Sequence, residues 1–207
     1  MNYTGSGSFR KKGQADLRIF TTGLYLSKLT IEEGSVTYAD GGRHFHDTKA
    51  TIEVLGGTRL SQGNLSKIEW KSPLCLHENA VLETEIIPGV IAHQLKLSKG
   101  AILKLIIPGE QTTSPQEGES QETAEQSGFS VGSLTLPTEG KVIIHPVGKL
   151  PSGGVPLVLF TAKTDLPADA GEHFELDTRD INISTCKLKV EGKQLVLIHS
   201  QSLLILN

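Results

Sequence analysis

The chain has little of what usually announces a function. Its 207 residues include two Cys, one Met, one Trp and three Tyr. Two thiols are too few for a disulfide framework, and neither Cys75 nor Cys186 sits at a CxxC or zinc-ligand spacing, so free thiols are expected. In PLCLHEN the alternation sets Cys75 opposite Leu74 and Leu76, whereas in TCKLKV Cys186 shares the phase of Leu188 and Val190. With the leucines facing a core, Cys186 is expected buried and Cys75 exposed, which argues against a bridge. No apolar run approaches the roughly 20 residues of a membrane-spanning helix. MNYTGSGSFRKKG lacks the apolar segment of a signal peptide, so the chain is expected to be cytosolic or cut from a longer exported precursor. Charge is also sparse. The formal net charge is -3, and residues 110–128 hold five Glu with no Lys or Arg, so the remainder is slightly basic. That balance gives no bias toward nucleic acid or an anionic membrane, and Arg10, Lys11 and Lys12 read as solvated surface. There is no Gly-x-Ser-x-Gly elbow and no glycine-rich phosphate loop opening a helix.

What is present is alternation. Apolar residues recur at spacing two, cut by Gly, Asn and Pro, which predicts an all-β chain. A unit of three alternating residues, a short turn and a second extended run recurs five times. The copies are LTIEEGSVTY from Leu29, IEVLGGTRL from Ile52, LCLHENAVLETEI from Leu74, LKLSKGAILKLII from Leu95 and LTLPTEGKVIIHPV from Leu134. Successive starts are 23, 22, 21 and 39 residues apart, and removing the 17 residues 112–128 restores the last interval to 22. The turn residue falls five positions after the first apolar residue at Gly34, Gly57, Asn79 and Gly100, and six after it at Gly140. These types accept positive φ, so each copy is expected to bend at one point.

A fixed period of this kind suits a β-solenoid, in which each coil buries its apolar face on its neighbours. Ile31, Val54, Leu76, Leu97 and Leu136 are then expected to stack in one ladder, and Gly34, Gly57, Asn79 and Gly100 at one corner. The alternative is an antiparallel β-sandwich, which produces the same alternation. Past residue 150 the period fails. VPLVLFTA, HFELDTR, CKLKVEGKQLVLI and SLLILN read as further strands, with VEGKQ a hairpin turn. The expected organisation is a single domain over 1–207, with solenoid coils over 29–150, a flexible polar insertion at 110–128, and cap strands, antiparallel, over 155–207.

These stretches resemble the bacterial autotransporter-associated β-strand repeat, a module of exported passenger proteins. YTGSGSFRKKGQADLRI is similar to the Tyr-Thr-Gly and Gly-Leu-x-Lys-x-Gly-x-Gly-x-Leu elements of that repeat, and LSKLTIEEGSVTY to its following strand and turn. FSVGSLTL, LVLFTAKTDLP and LKVEGKQLVLI are similar to the ending that follows such repeats in large surface proteins. GQADL departs from the usual Gly-x-Gly-x-Leu. The resemblance implies a right-handed parallel β-helix, exported to the bacterial cell surface as the C-terminal part of something larger. It also implies a role as a stalk, display or adhesion scaffold, with surface glycans or other surface proteins as partners.

Candidate chemistry is thin, and no residue set implies a cofactor. His44, His46 and Asp47 in GGRHFHDT form half of a metal site at best, and exposed loop histidines are the plainer reading. A cupin-like barrel would bring Glu53 and His93 of PGVIAH to the same metal. A polysaccharide lyase or hydrolase would need carboxylates on one strand face. Asp165, Asp169, Asp177 and Asp180 cluster in sequence, as do Glu32 and Glu33, but they read as solvated turns. Trp70 and Tyr38 would serve a carbohydrate-binding module as a stacking platform, against ordinary core packing.

Overall fold

Two-residue alternation with a left-handed corner residue every 21 to 23 positions makes short strands that end at the same point in each copy. In the computed structural model, residues 3–4, 7–20, 24–38, 50–63, 68–87, 90–108, 128–151, 154–181 and 185–199 are described. The strands are Tyr3–Thr4 (β1), Ser8–Lys11 (β2), Asp16–Ile19 (β3), Leu24–Tyr25 (β4), Lys28–Ile31 (β5), Ser35–Tyr38 (β6), Thr51–Val54 (β7), Arg59–Ser61 (β8), Ile68–Trp70 (β9) and Leu74–Leu76 (β10). They continue as Val81–Glu85 (β11), Val90–Leu97 (β12), Ile102–Ile106 (β13), Phe129–Thr135 (β14), Val142–Val147 (β15), Leu157–Ala162 (β16), Phe174–Leu176 (β17), Cys186–Glu191 (β18) and Gln194–His199 (β19). A 3-10 turn at Ala170–His173 leads into β17.

The chain moves back and forth between two sheets. One runs β18-β19-β16-β14-β12-β10-β7-β5-β2, with β9 also on β12, and the other runs β17-β15-β13-β11-β8-β6-β3. A two-stranded parallel pair, β1 and β4, stands apart. Every pairing is parallel except β16 with β19 and β18 with β19. The antiparallel sandwich is thereby set aside, because sandwich hairpins would pair sequence neighbours, whereas β5 here pairs β2 and β7.

Register explains the repeat. Ile31, Val54, Leu76 and Leu97 are direct partners on successive strands, as are Leu29, Ile52, Leu74 and Leu95. The facing sheet stacks Leu17, Val36, Leu60, Leu82, Leu103, Ile144 and Leu176 in the same way. Both columns join one hydrophobic cluster, in which each buried Leu or Ile contributes about 1.5–3 kcal/mol relative to exposure. Leu136, expected to extend the first ladder, lies just past the paired part of β14 and is half-buried. The corners match expectation. Gly34, Gly57, Asn79, Gly100 and Gly140 all have positive φ, and Gly57 N–H donates to Asn79 O and Asn79 N–H to Gly100 O at 3.0 and 3.1 Å.

The regular pairing begins before Leu29. Phe9 and Lys11 partner Leu29 and Ile31, and Gly13 supplies a left-handed turn at φ 81°. Lys11 hides this rung in the sequence because it fills an apolar ladder position. It is buried all the same, and its ammonium donates to the carbonyls of Lys12 at 3.2 Å, Glu33 at 3.0 Å and Gly13. Those bonds satisfy a charge that burial would otherwise penalise.

Parallel pairing also outlasts the sequence period. β16 lies parallel to β14 and β17 parallel to β15, so of the expected antiparallel strands past residue 155 only β18 and β19 run that way. The period is lost there because connecting segments lengthen, while the pairing persists. Gly192, at φ 55°, turns the β18–β19 hairpin as expected. Cys186 shares the inward phase of Leu188 and Val190 but is only half-buried, because β18 is the edge strand; Cys75 is half-buried too, and neither is in a disulfide. The expected insertion at 110–128 falls mostly outside the described residues. Its last residue, Gly128, belongs to the stack: it is buried, and a Cβ there would lie 2.3 Å from Leu159 O.

Candidate functional site

Among the outward residues of the sheets, polar side chains are joined between neighbouring strands, beside apolar ones such as Val81, Ile102 and Ile106. On the sheet containing β11, the Glu83 carboxylate accepts from Ser61 Oγ at 3.0 Å through Oε1, while Lys104 Nζ at 2.9 Å and Arg59 at 3.4 Å meet Oε2. Burial works to raise the Glu83 pKa, but the bonds from Lys104 and Ser61 and the charges of Lys104 and Arg59 outweigh it, and the net shift is downward. Two positions on, Glu85 shares the face of Glu83, and its pKa is raised by burial. Beneath them Gln62 is buried and accepts from Thr84 Oγ1 and from Glu85 N–H at 3.0 Å.

Ser61, Gln62, Gly63, Glu83, Thr84, Glu85 and Ile106 line a shallow cavity of about 130 Å³. Sites for drug-sized ligands run from about 300 Å³ upward, so this one is too small to enclose a sugar or nucleotide. With both oxygens of Glu83 engaged, its carboxylate is a cross-strand tie and not a poised nucleophile.

The other ties follow the same plan. Asp16 accepts from Ser35 Oγ at 2.6 Å and Thr37 Oγ1 at 2.9 Å, and Arg18 lies at 3.3 Å. His77 Nε2 is 2.6 Å from Glu53, His93 Nε2 2.6 Å from Glu69, and His145 Nε2 2.8 Å from Asp180. Glu53 and His93 therefore serve different pairs and do not converge, contrary to the cupin-like alternative. Among the described residues no group of three or more His, Cys, Asp and Glu is placed to hold a metal ion. His44, His46 and Asp47 lie outside the described residues.

The remaining sequence candidates are dispersed. Glu32 is 3.4 Å from both Arg10 and Lys12, while Glu33 accepts from Gly13 N–H at 2.7 Å. Asp177 and Asp180 meet around His145, but Asp169 contacts His173 at 3.7 Å and Asp165 is exposed. Trp70 and Tyr38 are buried and offer no face to a sugar; the Trp70 indole N–H has no acceptor among the described residues. Cys75 stands between Glu53 and Lys96 on adjacent strands, and burial first, then the Glu53 charge, pushes its thiol pKa up, which disfavours the reactive thiolate.

Sequence reasoning misses the Glu83 cluster. The signal is nonetheless there: Ser61, Glu83 and Lys104 are one repeat apart, so the period alone aligns them. No known protein family, curated protein or solved structure matches the chain.

Proposed function

We propose that this chain is a segment of right-handed parallel β-helix with a C-terminal cap, acting without catalysis as a structural stalk, display or adhesion scaffold at the bacterial cell surface. In this reading it belongs to a larger exported protein, as its resemblance to the autotransporter-associated repeat implies, and meets surface glycans or other surface proteins. The observation that carries it is the in-register stacking of Ile31, Val54, Leu76 and Leu97, with outward charges tied strand to strand. Such a stack converts sequence length into physical length, at about 4.8 Å per strand, and a stalk needs that property.

Antibodies raised against the chain provide the test. They should label intact cells of the source bacterium, and protease added outside should remove the signal. Labelling that requires permeabilised cells would overturn the surface assignment.

A further inference from the structure

The cavity beside β11 holds a carboxylate that the cross-strand ties pass over. Glu83 and Glu85 project from one face of β11, yet their neighbours on the flanking strands differ. Glu83 has Ser61 and Lys104 as its direct partners, and both bond its carboxylate. In the corresponding places beside Glu85 stand Gly63, two residues past Ser61, and Ile106. Neither offers a side-chain donor. Gly63 is held to glycine by its φ of 64° and by Tyr38 O, which would lie 2.4 Å from a Cβ, so no side chain reaches Glu85 from there. Among the described residues the Glu85 carboxylate has no hydrogen-bond or ion-pair partner, and burial alone raises its pKa. Its backbone is nonetheless fixed, because the buried Gln62 accepts from Glu85 N–H at 3.0 Å and from Thr84 Oγ1.

We propose that this cavity binds a primary ammonium group, the end of a free alkylamine or of a lysine side chain, with Glu85 as its counter-ion. A cation is the missing complement, because a partly buried carboxylate without a partner is costly to ionise and a bound positive charge removes that cost. Lys104 and Arg59 do not fill the place: both meet Oε2 of Glu83, and neither lines the cavity. A metal ion would find too few ligands, since among the described residues no group of three or more His, Cys, Asp and Glu is placed to hold one. An ammonium asks for less. Its three donors radiate, and the cavity offers acceptors on separate walls: the Glu85 carboxylate, and the lone pairs of Ser61 and Thr84, whose hydrogens are committed to Glu83 and Gln62. A guanidinium, with all its donors in one plane, matches that arrangement less well. Ile106, half-buried beside Glu85, gives the alkyl stem an apolar wall. The site does not rest on the stalk reading.

Titration of the whole isotope-labelled chain with butylammonium chloride, followed by amide chemical shifts and compared with sodium chloride at equal ionic strength, tests it. Saturable shifts at the Ser61, Gly63 and Glu85 amides are expected, with a Kd of about 1 mM. E85Q, which keeps the shape and removes the charge, should weaken binding about tenfold. E139Q, which removes an exposed carboxylate outside the cavity, should leave it unchanged. A Gly-Lys-Gly peptide with blocked ends separates the two sources. Tighter binding than butylammonium would point to a lysine on a partner protein, and equal or weaker binding to free amines. Shifts no larger than those from sodium chloride, or binding indifferent to E85Q, would overturn the proposal.

Discussion

The two ends of this stack close by different means. At the C-terminal end the chain reverses: β19 runs antiparallel along β16, and three Phe rings occupy the interior. At the N-terminal end a lysine takes a ladder position and bonds carbonyls of its own turn and the next, and among the described residues β2 and β3 pair on one side only. A parallel stack exposes its apolar column and its hydrogen-bonding edge at the same place, so an end can hide either one separately. At the C-terminal end β19 and the Phe rings cover the apolar column, while β17 and β18 each pair on one side only among the described residues. At the N-terminal end Lys11 replaces apolar surface with a satisfied charge but does nothing for the edge.

That contrast can be broken most forcefully at the aromatic residues. Phe160→Ala should cost about 3–5 kcal/mol in denaturant unfolding, as for a fully buried aromatic, while Phe9→Ala in dilute solution should cost less than about 1 kcal/mol. Equal losses would mean that the N-terminal end is packed in solution as tightly as the other.

A middle-sized effect is expected at the corner glycines. Gly34→Ala puts a Cβ 2.6 Å from the carbonyl oxygens of Gly13 and Gln14 on the preceding turn, at φ 69°, whereas Gly13→Ala, at φ 81°, meets nothing within 4 Å. Left-handed backbone alone costs a residue with a side chain about 1–2 kcal/mol, so Gly13→Ala should lose roughly that and Gly34→Ala clearly more. Thermal melts of the two variants make the comparison. A larger loss at Gly13 would contradict an uncovered first turn.

The smallest effect concerns acid. Asp16 near the N-terminal end and Asp177 near the C-terminal end both have lowered pKa values. For Asp16, burial raises the value, but bonds from Ser35, Thr37 and Arg18 win; for Asp177, the bond from Arg179 leads. A carboxylate lowered on folding contributes stability above its unfolded pKa of about 4 and loses it as pH falls through the folded value. Asp16→Asn and Asp177→Asn should therefore each destabilise near neutral pH, by less than about 1 kcal/mol, and leave stability unchanged well below pH 3 or so. Asp16 should show the larger effect. Its hydroxyl partners sit on the adjacent strand, whereas Arg179 is two residues from Asp177 and can stay near it in the unfolded chain. Urea unfolding across the acid range measures both.

Much of the interior is legible in the sequence. Ile31, Val54, Leu76 and Leu97 advertise their register because alternation and corner glycines act over a few residues, and a constant period turns that local pattern into a stacking rule. The first rung escapes notice because Lys11 breaks the apolar code that makes the others visible. The parallel pairing of β16 and β17 is hidden because long connections erase the period without erasing the pairing. Candidate chemistry is less legible. Glu53 and His93 look like parts of one site in sequence, yet each finds a separate partner one strand away, His77 and Glu69.

By itself, then, the sequence determined the strand alternation, the left-handed corners and the inward ladders, all consequences of backbone sterics and side-chain phase within a single repeat. Only the tertiary structure decided which charges meet across strands and where parallel pairing gives way to antiparallel. Those depend on residues 19 or more positions apart, brought within a few ångströms once the strands are stacked.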